Sequence, residues 1–450
     1  MIAPDVAVVG AGFAGLSAAA ALAEAGKRVL VLDARPQLGG RATAFVDRVT
    51  GELVDNGQHV LFGCYRETFT FLRRVGAEDN VRVQSGLSIP FVDRRGRRSV
   101  LQCPPLPAPL HLLGGVLDWD ALPWADRFSI LRVGGPILRA RRAVAKGKVV
   151  SLAPPDETVS AWLSRHGQGR KLRAWLWDPL AVAALNQAPE EAAAAPFVRV
   201  LAEMFAPDAS AAALVLPTKP LHLMYAEPAR RFIEARGGEV RTGALTRIVT
   251  SEQCVEAVDI RGERVPVRQI VAAVPWFALR TLFASTPPAS LEQTIASADR
   301  MESKPIVTVN LWYDGPVIEE SFVGLPGRVM QWVFDKRYAF GETASHLSLV
   351  SSGADALVRE SDEALIRLAA QEVDEAFPAT DAELVRGTVI REKRATFSLA
   401  PGQPARPGTR TPVRGLYLAG DWLDTGLPGT IESAVLSGHR AAEAVRTAQP

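Results

Sequence analysis

Residues 5–33 read DVAVVGAGFAGLSAAAALAEAGKRVLVLD. Val6 to Val9 is a short, uncharged, valine-rich run of the kind that fills a strand buried on both faces. Gly10, Gly12 and Gly15 follow as G-x-G-x-x-G. Ala18, Ala19, Leu22 and Ala23 then recur at helical spacing, and Gly26 stands where a helix would end. Lys27 opens a second strand with Val29 to Leu32 at its core. That strand ends in Asp33, about 20 residues beyond the glycines, as the dinucleotide fingerprint requires. Each part has a physical task. Gly10 permits the tight turn, Gly12 lets backbone approach a pyrophosphate, and Gly15 lets the helix sit close to the sheet. The helix N-terminus offers free N–H groups and partial positive charge to phosphates. Asp33 accepts hydrogen bonds from ribose hydroxyls. A tight turn in a glycine-rich protein would leave Asp33 unexplained.

The rest of the chain sets bounds on this reading. At 450 residues it exceeds one comfortable core, so two domains are expected. A net charge of +2 gives no footing for nucleic acid. Cys64, Cys103 and Cys254 are scattered and odd in number. They have neither metal-ligand spacing nor a disulfide framework, which points to a reducing, cytoplasmic compartment and no metal. The N-terminus enters the first strand at once, without the basic start of a signal peptide. No stretch reaches the roughly 18 apolar residues of a spanning helix.

Leu38-Gly39-Gly40-Arg41 repeats the theme of bare backbone, here with a cation for a phosphate. In Asp55-Asn56-Gly57-Gln58-His59, Gly57 suggests close approach to something flat, and His59 is either a structural histidine or a substrate contact. Tyr65 to Val75 reads as an amphipathic helix. Ile89 to Val92 and Ser99 to Gln102 flank a charged hairpin tip. Pro104 to Leu117 is apolar but broken by prolines and glycines, too irregular for an ordinary core helix. Leu138 to Lys148 carries five basic residues. The pair reads either as a loop with a solvated helix or as an apolar flap beside a basic patch that docks on anionic lipid. Helices are expected over 158–166, 173–185 and 197–205. Trp175, Trp177, Leu180 and Leu185 fit either plain core or the wall of a hydrophobic cavity. Glu239-Val240-Arg241 starts a strand after the Gly237-Gly238 cap, 269–274 is a strand, and 276–283 a helix. Lys304 to Trp312 alternates as a strand does, and 385–397 is another. Gly415 to Asp421 is a buried strand ending in Gly420-Asp421. Thr430-Ile431-Glu432-Ser433-Ala434 then opens a helix whose positive end points at that turn.

Four motifs spread over the whole length carry a resemblance. They are the N-terminal fingerprint, Gly39-Gly40-Arg41, Gly237-Gly238-Glu239-Val240, and Gly420-Asp421 ahead of a helix. Together they resemble the flavoprotein superfamily of amine oxidases, phytoene desaturases and protoporphyrinogen oxidase. Within it, VDNGQHVLFGCY (54–65), PIVTVNLWYD (305–314) and GLYLAGDWLDTGLPGTIESAVLSG (415–438) look most like the hydroxysqualene dehydroxylases of bacterial hopanoid synthesis. The resemblance implies FAD. Gly10, Gly12, Gly15 and Asp33 would hold the AMP half, flanked by Ala14, Ala34 and Arg35. Gly39, Gly40 and Arg41 would meet the pyrophosphate, and Val240 the adenine through its backbone. Asn56, Gly57, Gln58 and His59 would lie along the cofactor, and Asp421, beside Gly420, would bond the ribityl chain. Thr430, Ile431, Glu432, Ser433 and Ala434 would bring a helix N-terminus to the flavin pyrimidine edge. Amine oxidases usually place an aromatic residue where this chain has Thr430. Lys304 falls where they keep a lysine bonded through water to the flavin.

The fold that follows is α/β. A Rossmann-like FAD domain from 1–84, 215–275 and 401–450 is interleaved with an α+β substrate domain from 85–214 and 276–400. The implied activity is reduction of hydroxysqualene to squalene. Its partners are a C30 isoprenoid, a nicotinamide cofactor or reductase as electron donor, and a membrane surface met peripherally from the cytoplasm. His59 is the candidate proton donor. The rivals are a carotenoid-type desaturase, an amine oxidase, and a prenyl-binding protein without flavin.

Overall fold

The computed structural model describes residues 3–146, 152–341 and 345–448. Its first organising element is a five-stranded parallel sheet. The strand order is Glu239–Arg241, Val29–Leu32, Val6–Val9, Ile270–Ala272, Leu416–Leu418. The inner strands are buried at every position, as a parallel sheet covered on both faces demands. Alternate residues face opposite ways. Val6, Val8, Val29 and Val31 pack with helices Phe13–Glu24 and Ile431–Arg446. Ala7, Val9, Leu30 and Leu32 pack with the antiparallel strands Thr246–Thr250 and Val255–Ile260. Gly15 is required where the first helix meets the turn before it: a Cβ there would lie 1.8 Å from Gly10 O.

The second element is a seven-stranded mixed sheet. Its order is Leu384–Phe397, Ser303–Tyr313, Ser345–Ser352, Trp332–Asp335, Phe322–Gly324, Ser88–Val92, Arg98–Gln102. Its pairs are antiparallel except where Gly324 meets Phe91. Val307, Val309 and Leu311 pack under helix Asp362–Ala376. Ile306 and Thr308, which alternate with them along the strand, turn the other way and line a cavity. A helical segment completes that cavity: Leu110–Asp118, Trp124–Ser129, Leu131–Ala145, Val159–Arg165, Asp178–Leu185 and Ala194–Met204.

Local chemistry explains where elements differ from expectation. The prolines of the 104–117 stretch end at Pro109, so Leu110–Asp118 is free to form a regular helix. The expected helix over 173–185 opens instead with a widened turn, Arg173–Trp177, in which Asp178 N–H reaches Arg173 O. Pro179 has no N–H for the ordinary bond to Trp175 O, and the wider turn removes the need for it. The same device recurs at His222–Ala226, just ahead of Pro228. The 276–283 segment forms two short 3₁₀ turns, Trp276–Ala278 and Arg280–Leu282. Lys148, at the end of the basic stretch, lies outside the described residues.

Candidate active site

A cavity of about 690 Å³ is lined from both sheets and from the helical segment. One end is polar and made largely of backbone. Helix Phe13–Glu24 starts at Gly12 with no side-chain cap, so its first N–H groups are left for an anion. Asp33 is buried; its Oδ2 accepts Ala11 N–H at 2.7 Å and its Oδ1 accepts Arg35 N–H at 2.8 Å. The carboxylate therefore fixes the glycine turn as well as facing the cavity. Tyr225 donates to Gly39 O at 2.8 Å and holds the second glycine turn. Arg41 donates to the Asp421 carboxylate and to Ala395 O, which ties the N-terminal third of the chain to its C-terminal strand. Thr430 is the N-cap of Ile431–Arg446, its Oγ1 accepting Ser433 N–H at 3.2 Å. Ser433 Oγ in turn donates to Asp421 O at 2.9 Å and pins the Gly420-Asp421 turn to the helix end.

The structure brings most of the sequence candidates together. Gly10, Gly12, Ala14, Asp33, Ala34, Arg35, Gly39, Gly40 and Arg41 line the cavity. So do Asn56, Gly57, Gln58, His59, Gly420, Asp421, Thr430, Ile431 and Ala434. Gly15 and Ser433 sit one layer behind, holding the two turns. Val240 lies on the edge strand, packed against the core. Glu432 points away from the cavity: it accepts the N–H groups of Glu67 and Thr68, each at 2.9 Å, and so caps the helix Arg66–Arg74. Lys304 also leaves the cavity. Strand pairing slips between Lys304 and Ile306, and the lysine turns to Glu191 at 3.0 Å and Asp355 at 3.2 Å.

The other end of the cavity is apolar. Trp175, Trp177 and Leu180 form part of its wall, with Met204, Phe205, Phe322, Trp332 and Phe334, whereas Leu185 is core. His59 faces the cavity with its Nδ1 buried and unpartnered. Burial pushes its pKa below the ordinary histidine value. Two groups here carry no sequence signal. Glu392 lines the cavity and accepts from Asn56 Nδ2 at 3.2 Å. Lys336 lies behind Gln58, buried in a run, Asp335-Lys336-Arg337, that reads like exposed surface.

A sequence profile described as "Flavin containing amine oxidoreductase" matches residues 13–446. The chain belongs to that family. It is therefore an FAD-dependent oxidoreductase. The hydroxysqualene dehydroxylase of Rhodopseudomonas palustris is 32% identical over 458 residues, covering 98% of each chain. A probable zeta-carotene desaturase of Synechococcus elongatus is 26% identical, covering 99% of each. Among solved structures, an oxidoreductase from Methanosarcina mazei superposes with a TM-score of 0.75 at 19% identity, covering 97% of this chain and 99% of its own. The polar end of the flavoenzyme's cavity suits FAD on physical grounds. It offers two turns without side chains, an uncapped helix N-terminus for a pyrophosphate, and the buried carboxylates of Asp33 and Asp421 for hydroxyl groups. Among the described residues, no helix is long and apolar enough to cross a membrane.

Proposed function

We propose that this flavoenzyme reduces hydroxysqualene to squalene. The observation that carries the reading is the apolar end of the cavity. Every described lining residue between 104 and 213 is apolar except Asn186. Such walls suit a long uncharged ligand, held by burial at about 25 cal/mol per Å². An ammonium group would need a carboxylate or aromatic faces around it. Thr430 stands where amine oxidases place such an aromatic residue, and its hydroxyl is used as a helix cap. Gly10, Gly12, Ala14 and Asp33 would hold the AMP half of FAD, with Gly39, Gly40 and Arg41 at the pyrophosphate. Asp421 would take the ribityl hydroxyls, and the N-terminus of helix Ile431–Arg446 the flavin edge.

In the reaction the allylic C–O bond breaks, a proton joins the departing oxygen, and water leaves. The chemistry that bound, reduced FAD supplies is a hydride for the allylic carbon, renewed by a nicotinamide cofactor or a reductase. His59 is the candidate for the proton. It is a titratable group that faces the cavity, although burial there disfavours its charged form. The full-length similarity to a zeta-carotene desaturase favours a second reading, desaturation of a related hydrocarbon by oxidised flavin. Anaerobic incubation separates the two. Reduced protein should convert hydroxysqualene to squalene, and oxidised protein should leave phytoene and zeta-carotene unchanged. Desaturated product with no squalene would reverse the assignment.

The same reading seats the enzyme on an anionic bilayer, the reservoir of so insoluble a substrate. Leu112, Val116 and Ile130 face the cavity, while the outer faces of their helices expose Leu110, Trp124, Phe128 and Leu131 at 53%, 63%, 54% and 54%. Helix Leu131–Ala145 carries no acidic residue, and Arg132, Arg139 and Arg142 share its exposed face. Arg141 is not part of that face: it is half-buried and donates to Phe205 O at 3.0 Å. Each basic residue should add about 1 kcal/mol of attraction. Replacing Arg132, Arg139 and Arg142 by Gln should release the protein from phosphatidylglycerol vesicles at low salt. Unchanged co-sedimentation would remove the membrane from the reading.

A further inference from the structure

Two buried charges sit behind the loop that carries Gln58 and His59. Lys336 is 1% exposed and Asp55 is 4% exposed. Lys336 Nζ lies 3.1 Å from Asp55 Oδ2 and 2.5 Å from Gln58 Oε1. The second oxygen of Asp55 accepts Leu221 N–H at 3.0 Å, so the carboxylate is itself fixed. Lys336 opens the short helix Lys336–Phe340 directly after strand Trp332–Asp335. Trp332 and Phe334 of that strand wall the apolar end of the cavity. The ion pair thus clamps the Asp55–His59 loop to the sheet that faces the hydrocarbon.

An ammonium has three donors and no acceptor. The Gln58 atom that faces it is therefore the carbonyl oxygen, and the amide nitrogen is turned away. Gln58 lines the cavity and Lys336 does not. The clamp leaves Gln58 with its N–H donors free of the lysine, in one fixed orientation, in a cavity whose far wall, from the helical segment, is almost wholly apolar. Asp55 offsets the desolvation of the lysine, which a lone buried ammonium would not survive.

We infer that Gln58 reads the hydroxyl oxygen of the substrate, and that Lys336 and Asp55 are the positioning residues that aim it. The inference rests on the alcohol-reducing reading and names the group that would tell alcohol from hydrocarbon. A hydroxyl oxygen accepts the amide N–H. A hydrocarbon in the same place strips water from the amide and returns no bond. The alcohol should therefore bind more tightly than its own reduction product, which would also help squalene leave.

The test uses holoenzyme with oxidised flavin, which binds the alcohol without reducing it. Dissociation constants for hydroxysqualene and squalene would be read from quenching of tryptophan and flavin fluorescence in detergent. Wild type should favour the alcohol by roughly tenfold, the scale of one hydrogen bond plus an unpaired buried donor. Gln58→Leu should bring the ratio close to one with squalene binding kept. Lys336→Met alone strands Asp55, so it is paired with Asp55→Asn, which removes both charges and keeps the shapes. That double variant should lose the discrimination too, with its FAD absorbance retained. Adding Gln58→Leu to it should change the ratio no further, as expected if the clamp acts through the glutamine. Discrimination that survives Gln58→Leu overturns the inference. So does a wild-type enzyme that reduces hydroxysqualene yet binds both ligands equally, and that result leaves the alcohol-reducing reading standing. A holoenzyme that neither binds nor reduces hydroxysqualene overturns both.

Discussion

The two ends of the cavity obey different rules. The polar end offers a ligand backbone: bare glycine turns, a helix start without a side-chain cap, and a second helix start held by Thr430 and Ser433. Backbone recognition needs particular residues at particular spacings, because only glycine leaves the space and only a short acid reaches the sugar. At the apolar end a ligand would be met by area. Any set of large hydrophobic side chains that closes the volume will serve, so the wall borrows from helices and strands far apart in the chain. A geometric site resists substitution sharply. An area site yields gradually, until a charge enters it.

The largest expected effect is therefore at the polar end. In Gly15→Ala the new Cβ would fall 1.8 Å from Gly10 O, a backbone atom that cannot swing aside. Helix and turn would have to separate, at a cost of about 3 kcal/mol or more. The purified protein should be colourless or insoluble. A yellow variant with the wild-type melting temperature would break the claim that this contact sets the geometry of the polar end. Next in size is a charge at the apolar end. Leu180→Asp places a carboxylate in a wall whose neighbours are hydrocarbon and indole. FAD should stay bound, because Leu180 comes from the helical segment and not from the glycine turns. Affinity for a C30 ligand should fall by about 2 kcal/mol, or some thirtyfold. Loss of FAD together with ligand would show that the two ends are not separable.

The same difference decides what could be read from the chain. Gly10, Gly12, Gly15 and Asp33 are legible because their spacing belongs to one strand–turn–helix unit, and the Rossmann-like parallel sheet follows from them. Gly420-Asp421 ahead of Ile431–Arg446 is legible for the same reason. The apolar wall is not. Trp175 and Leu180 have the spacing of plain core, which such residues more often form, yet they line the cavity, and Leu185, five residues on from Leu180, is core. Glu432 was misleading because position along a helix start does not fix side-chain direction. Its carboxylate is taken by the first amides of a neighbouring helix, Arg66–Arg74, which have no partner within that helix. Lys336 had no signal at all. Its partners Asp55 and Gln58 lie some 280 residues earlier in the chain, at separations of 281 and 278.

Lys304 gives the smallest expected effect and the finest test of strand register. By family position it belongs beside the flavin. By geometry it does not, because the pairing slips between Lys304 and Ile306, and Ile306 and Thr308 take the cavity side. Its ammonium sits between two carboxylates whose side chains are more than half exposed, at 56% and 55%. Ion pairs of that kind contribute about 0–1 kcal/mol. Lys304→Met should thus lower thermal stability slightly, and less so at high salt, where screening already weakens the pair. The flavin spectrum and the rate of substrate reduction should match wild type. If instead the rate of flavin oxidation by substrate falls steeply while the fold is kept, the register is wrong. The strand would then have to shift so that Lys304 and not Ile306 meets the cavity.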